Sequence, residues 1–261
     1  MRRRLVLTII GVVLLVTGAA RADAQPGELG GWRLDTVTYP FGPISRQGVA
    51  TDGDNVVYRG QLTIPLDLFA RGWDHIGDPD AHDGFVLDAF ERKSGSKLFT
   101  LTGRDGARTE FEHPLAPGEL ANNSWVAITP DGQWFLSGEW GTMSRLLVFP
   151  MPRFNPAATV PLPLARTISL QRPVRNLQGC DFDGPTLLLC TTDDARKALL
   201  EIETNTGAVT VLGELPQNSL CTGTFEPEGV DVHDNLLLVA LLEPTPCSLP
   251  TTQLLHYTRR P

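Results

Sequence analysis

Apolar residues in this chain gather in short runs bounded by Gly, Pro, Asp or Asn. The clearest are Asn55–Tyr58, Phe85–Leu87, Trp134–Leu136, Leu146–Phe149, Thr186–Cys190, Ala208–Leu212 and Leu236–Leu242. Runs of this length, set beside turn residues, read as β-strands. Helical periodicity is scarce, because Pro or Gly breaks nearly every window long enough to hold it. The one helical candidate is Pro65 to Gly72, and it is short. The pattern predicts an all-β chain.

A unit recurs five times: a polar or apolar residue, usually a glycine, a short strand, an Asp-Gly type turn and an apolar strand. Its copies begin at Gln47-Gly48, Ile76-Gly77, Ser124-Trp125, Gln178-Gly179 and Glu228-Gly229. Their turns are Asp52-Gly53, Asp83-Gly84, Asp131-Gly132, Asp183-Gly184 and Asp234-Asn235. Asp-Gly between apolar runs is a strong hairpin signal, since such turns need positive φ. The second residues fall at 48, 77, 125, 179 and 229. Most of these steps suit the roughly 40–50 residues of a β-propeller blade, and the first is short. Outer strands are expected at Leu62–Ile64, Lys97–Leu101, Arg145–Phe149, Ala198–Glu203 and Gln253–Tyr257. The last copy lacks a fourth strand, which Trp32 to Thr38 could supply, closing the ring and removing its open edges. The expectation is a single β-propeller domain over 25–261, five-bladed and closed by an N-terminal strand. A six-bladed count and a β-sandwich are the alternatives. The proline-rich stretch Pro150 to Pro163 reads as an excursion between strands, because the repeat continues across it.

The N-terminal 24 residues change the picture of compartment. Arg2, Arg3 and Arg4 precede the apolar run Leu5 to Ala20, and small-residue patterns at Ala20-Arg21-Ala22 and Ala22-Asp23-Ala24 follow. This is the layout of a secretory signal peptide, and the run is short for a membrane span of about 20 residues. Its removal takes away four arginines and one aspartate, so the formal charge of −8 becomes −11. A chain that acidic is a poor partner for nucleic acid or an anionic lipid surface. The mature chain is expected to be secreted or periplasmic, with no membrane segment. Four cysteines, Cys180, Cys190, Cys221 and Cys247, then suggest disulfides. A hairpin turning at Asp183-Gly184-Pro185 would set Cys180 beside Cys190, leaving Cys221 with Cys247; free buried thiols are the other possibility.

His75-Ile76-Gly77-Asp78-Pro79-Asp80 with Asp83-Gly84 and Glu91 resembles a motif of exported, poorly characterised β-propeller proteins. Ser124-Trp125-Val126-Ala127 with Ser137 and Glu139 is similar to that set, as are Gln178-Gly179 with Asp193-Asp194 and Glu226-Pro227-Glu228-Gly229. The resemblance covers about residues 47–235 and implies the propeller fold. It brings no activity with it. The Glu228-Gly229 pair is also similar to one in calcium-dependent nucleotidase propellers.

If the repeat is right, Gln47, His75 or Ile76, Ser124, Gln178 and Glu228 form a ring at one mouth of a central channel. Convergent polar groups of this kind are the default ligand site. Glu228 is its principal charge, with Asp78, Glu91 and Glu139 as nearby candidates for a metal. A carboxylate in a narrow channel needs a partner or a shifted pKa, and calcium, satisfied by roughly six to eight oxygens, would suit it. The same Gln-Gly and Glu-Gly pairs could instead serve only backbone packing. Asp78-Pro79-Asp80-Ala81-His82-Asp83-Gly84 fails the calcium-loop pattern, because Gly84 falls one position late, and reads as a hairpin. His233 reads as a surface residue, and Trp73, Trp125, Trp134 and Trp140 as blade packing.

The chain carries no G-x-S-x-G elbow, H-E-x-x-H, P-loop or dinucleotide fingerprint. Two functions remain open. The first is a binding or scaffold module that takes a small polar ligand, a cation or a protein partner. The second is a cation-assisted hydrolase, lactonase or lyase, in which the cation polarises a carbonyl or phosphoryl oxygen and Glu228 or His75 moves a proton.

Overall fold

The computed structural model describes residues 28–259, apart from 94 and 157. The signal-peptide segment lies outside these residues. Among the described residues no helix is long and apolar enough to cross a membrane.

The chain folds into mainly antiparallel sheets, numbered here in chain order. Sheet I is the hairpin Gly48–Asp52 and Asn55–Arg59. Sheet II holds Asp80–His82, Phe85–Glu91, Ser96–Gly103 and Arg108–Pro114, with His75–Ile76 on Phe85–Glu91 as well. Sheet III runs Trp125–Ile128, Trp134–Gly138, Thr142–Pro150, Arg166–Arg175. Sheet IV runs Leu177–Phe182, Leu187–Asp193, Lys197–Glu203, Ala208–Glu214. Sheet V runs Glu226–His233, Leu236–Leu242, Gln253–Arg259, then Trp32–Thr38 and Glu28–Leu29. The result is all-β and propeller-like. The first strands of the sheets are neighbours about one axis: Gly48–Asp52 lies against Asp80–His82 and Glu226–His233, and Trp125–Ile128 lies between Asp80–His82 and Leu177–Phe182.

Local chemistry explains the hairpins. Asp83 and Gly84 both take positive φ (51° and 80°), as a tight turn between right-twisted strands requires. All the Asp-Gly and Asp-Asn turns lie at the end of the axis opposite the strand starts. That end is called here the turn end, and the other the mouth.

Hydrophobic cores sit between facing sheets. Trp125, Leu136, Leu146, Leu188 and Leu200 pack between sheets III and IV. Leu189, Leu199, Leu237, Val239 and Tyr257 do so between IV and V. Phe99, Phe135 and Phe149 form a ring cluster between II and III, with centroids 5.0–5.2 Å apart. Aromatic pairs at this spacing contribute beyond the area they bury.

Two expectations need correction. Leu62–Ile64 is not an outer strand of sheet I: residues Gln61–Thr63 form a 3-10 turn, and Leu66–Ala70 forms the short helix expected near Pro65 to Gly72. This segment stands where outer strands would be, and packs Ile64, Leu68 and Trp73 onto Ile76, Phe90 and Leu98 of sheet II. Pro65 fits a helix start but cannot supply a ladder donor. Second, the proline-rich excursion contributes a strand: Thr159–Pro161 pairs in parallel with Glu110–Glu112 at the edge of sheet II. Pro161 is tolerable at an edge, where no partner needs its missing N–H.

Both expected disulfides are formed. Cys180 and Cys190 face each other across neighbouring strands of sheet IV, Cα atoms 4.1 Å apart. Cys221–Cys247 joins two loops at the mouth, Cα atoms 6.0 Å apart. Cys180→Ala/Cys190→Ala should lower unfolding stability by about 2–3 kcal/mol through the lost loop constraint, measured as a drop in the urea midpoint.

Candidate functional site

The axis is organised by Asp78. Its side chain is fully buried. Oδ1 accepts the Val49 N–H of sheet I at 2.9 Å, and Oδ2 accepts the Val230 N–H of sheet V at 3.0 Å. Its own N–H donates to Ser124 O at 2.9 Å, just before sheet III, and its carbonyl accepts the Val126 N–H of sheet III at 3.1 Å. Sheet IV meets it through Gly179, where an added methyl would lie 2.5 Å from Oδ2. Methyls on Gly48 and Gly229 would each lie 2.5 Å from Oδ1. The repeated glycines therefore have a packing cause: three strands approach one carboxyl group closer than any Cβ allows. Burial pushes the Asp78 carboxyl well above the usual range; the two N–H donors oppose this, and Asp231 and Asp80 add to it.

This arrangement moves the second copy of the repeat by one residue. Asp78, not Gly77, aligns with Gly48, Trp125, Gly179 and Gly229, as its bridge to Trp125 shows. The ring position at the mouth is thus held by Gln47, Gly77, Ser124, Gln178 and Glu228. Ile76 belongs to the core against Leu68 and Phe90. His75 lies at the edge of the mouth, half-buried, with Nε2 3.9 Å from Glu91 Oε1. Asp78 has both oxygens engaged and leaves the candidate cation set.

Glu228 is 4% exposed, and among the described residues its carboxyl meets no hydrogen-bond or ion-pair partner. Burial raises its pKa well above the usual carboxylate range; Glu226, Asp193 and Asp78 raise it further, and Arg46 opposes them. Glu226 is raised too, by desolvation and Asp193, against Lys197, Arg46 and His75. Gln178 Nε2 donates to Glu226 Oε1 at 3.3 Å, and Lys197 is ion-paired to Asp193. Gln47 spends its amide on the Arg46 carbonyl at 3.2 Å. The mouth is thus short of positive charge, with a buried carboxyl at its centre. Among the described residues no three His, Cys, Asp or Glu side chains form a ready-made metal set.

Glu91 and Glu139 serve other purposes. Glu91 Oε2 accepts the Asn123 N–H at 2.9 Å. Glu139 lies 3.7 Å from Lys97 Nζ and 3.6 Å from Arg145, and accepts the Leu120 N–H. Lys97 is fully buried and donates to the Leu120 carbonyl at 2.6 Å and to the Asn122 carbonyl. Its ammonium, held by these oxygens, occupies the place where a cation might have been sought. Beside it His113 bridges Glu119 (2.8 Å) and the Leu162 carbonyl (2.9 Å). Sequence reasoning missed this network. Its only signal was a lysine, in a chain with three, placed within the apolar strand Ser96–Gly103.

A second tier lies two residues nearer the turn end. Asp80 accepts the Ile128 N–H of sheet III. Asp181 accepts the Val232 N–H of sheet V at 2.6 Å, and Asp231 the Thr51 N–H of sheet I at 2.7 Å. Ala127 and Ala50 hold the same position in sheets III and I. Burial pushes Asp80 up to about 7, Asp181 well above its usual range, and Asp231 upward. His233 is exposed as expected. Of the tryptophans, Trp73 and Trp125 are buried, Trp134 packs partly buried against the sheet III–IV core, and Trp140 is 43% exposed.

No family model matches the chain, and no curated protein matches it. Among solved structures it is similar to a gluconolactonase of Xanthomonas campestris at 13% identity, covering 87% of this chain and 68% of that one, with a TM-score of 0.41. It is also similar to an acylaminoacyl peptidase of Pyrococcus horikoshii at 10% identity, covering 64% and 28%, with a TM-score of 0.32. Neither likeness supplies a family.

Asp78→Ala leaves the Val49 and Val230 N–H groups without partners. At about 1–3 kcal/mol for each unsatisfied buried donor, offset by relief of the buried carboxyl, the expected loss is about 2–4 kcal/mol in urea unfolding. Gly179→Ala should cost about 1–3 kcal/mol by overpacking.

Proposed function

We propose that this chain is an exported five-bladed propeller acting as a binding module, with a small cation or cationic polar ligand seated at Glu228. In this reading sheet I is a blade reduced to its two inner strands, and Trp32–Thr38 closes the ring by pairing with Gln253–Arg259. The strand order and the succession of inner strands support that count. The apolar N-terminal run and the two disulfides support export, since disulfides persist in oxidising compartments.

The observation that carries the binding reading is the buried, unpartnered carboxyl of Glu228 beside Glu226. A cation there would offset the burial of charge that raises the Glu228 pKa. Glu228 and Glu226 supply carboxylate oxygens, and backbone carbonyls, the Gln178 amide oxygen and water would complete a calcium shell.

One observation favours a second reading, the cation-assisted hydrolase, lactonase or lyase. A buried carboxyl whose pKa is raised suits general acid catalysis, and His75, beside Glu91 at the edge of the mouth, is the candidate to act with it.

Thermal melts with calcium and with chelator test the proposal. A ligand at about 100 times its Kd contributes about 2.7 kcal/mol, a Tm rise of roughly 5–10 °C for a chain this size. Glu228→Gln should raise the metal-free Tm, because it removes a buried ionisable group, and should abolish the calcium shift. A shift that persists in Glu228→Gln would move the site elsewhere, and no shift in the wild type would remove calcium as the ligand. Hydrolysis of small esters or lactones, lost in Glu228→Gln, would favour the second reading.

A further inference from the structure

Sheet I has two strands where each other sheet has at least four. Its outer strand, Asn55–Arg59, is met by two short helical pieces, Gly42–Ser45 and Gln61–Thr63. With their neighbours these pieces make one strip along the flank of the shortened sheet. At one end, the Gly42 N–H donates to the Pro250 carbonyl at 3.0 Å, and Phe41 bridges to Thr251. In the middle, a methyl on Gly60 would lie 2.6 Å from the Pro43 carbonyl oxygen. At the other end, Gln61 Nε2 donates to the Asp74 carbonyl at 2.7 Å, and the helix Leu66–Ala70 follows.

The strip turns five large apolar side chains to solvent. Phe41 is 57% exposed, Leu62 69%, Leu66 86%, Phe69 55% and Leu249 54%. In the helix, Leu68 is buried on sheet II, while Leu66 and Phe69, three residues apart, share the other side. Apolar residues exposed singly are ordinary. Five along one strip form a patch of the kind that marks an interaction surface. The charges beside the helix cancel. Arg108 pairs with Asp67 at 2.5 Å and with Glu110 at 2.9 Å, and Arg71 pairs with Glu110 at 2.8 Å. This flank therefore adds nothing to the repulsion between chains whose formal charge is −8.

We propose that the flank is a self-association surface, on which two copies of the chain pack across a twofold axis. Such an axis sets the same patch of both copies face to face, so an apolar strip is its own complement. At about 200 Å² for each whole side chain, the five leave roughly 650 Å² exposed, against about 800 Å² per partner in a standard interface. The polar groups around the strip supply the rim. A bilayer surface is the other apolar environment an exported chain meets. Helices that lie on membranes present lysines and arginines to the headgroups, whereas both arginines here are spent on carboxylates. The inference does not depend on the ligand at Glu228.

Sedimentation velocity of the mature protein, freed of its apolar N-terminal run, tests the proposal. At about 100 µM the wild type should sediment as a dimer and dissociate on dilution. Leu66→Asp/Phe69→Asp should weaken association by about 100-fold or more. It should leave Tm and near-UV circular dichroism unchanged, since both side chains stand largely in solvent. Leu66→Asp alone, at the most exposed of the five, should still weaken association by about 10-fold if the double variant does not fold. Val211→Asp, on sheet IV, should keep the dimer. A wild type that stays monomeric at that concentration would overturn the proposal, and its flotation with phosphatidylcholine vesicles would assign the patch to a membrane surface. A dimer equally tight in wild type and Leu66→Asp/Phe69→Asp would overturn it as well.

Discussion

One carboxyl group holds the inner ends of these sheets together. Asp78 accepts N–H donors from sheets I and V and exchanges backbone bonds with sheet III, and glycines of sheets I, IV and V close around it. A propeller-like assembly has a structural difficulty on its axis. Its inner strands converge, and their outward-turned N–H groups need acceptors where water is excluded. A short acidic side chain at the centre answers two of these donors at once, and the tier of Asp80, Asp181 and Asp231 repeats the device two residues further along. The axis is therefore filled by hydrogen-bonded acids and is not an open channel. At the mouth, Glu228 stands above Asp78.

Acids fill both the mouth and the tier of Asp80, Asp181 and Asp231. Burial raises carboxyl pKa values in both, but the compensation differs. In the tier, backbone and hydroxyl donors satisfy the carboxyl oxygens. At the mouth, Glu228 lacks even those donors. Glu228 is thus a buried carboxyl whose charge nothing at the mouth answers by a hydrogen bond or ion pair among the described residues.

Much of the fold was legible in the residues. The Asp-Gly turns announce their hairpins because positive φ is a local demand, met by Asp83-Gly84 whatever surrounds it. The pairing of Cys180 with Cys190 followed from the same turn. What could not be read was set by distant contacts. The alignment of the second repeat slipped by one, because Gly77 mimics the conserved-looking glycine of the other copies, while Asp78 is the residue those glycines make room for. Leu62–Ile64 has strand-like composition, yet it packs on sheet II as part of a turn and helix. Glu91 and Glu139 looked like free acids near the mouth, and only the fold shows them holding Asn123, Lys97 and Leu120. Gln178 and Glu228 precede the glycines Gly179 and Gly229 that close on Asp78.

The pairing of Trp32–Thr38 with Gln253–Arg259 joins the beginning and the end of the chain in one sheet. Contacts of such long sequence separation form slowly, since the whole intervening loop must be ordered first. Sheet V cannot be completed until Gln253–Arg259 has been made. While the polypeptide is still being synthesised, its leading strand must wait with an unsatisfied edge. The same closure leaves Trp32–Thr38 with a strand on each side, Gln253–Arg259 and Glu28–Leu29, so its length lies inside the sheet and not at its edge.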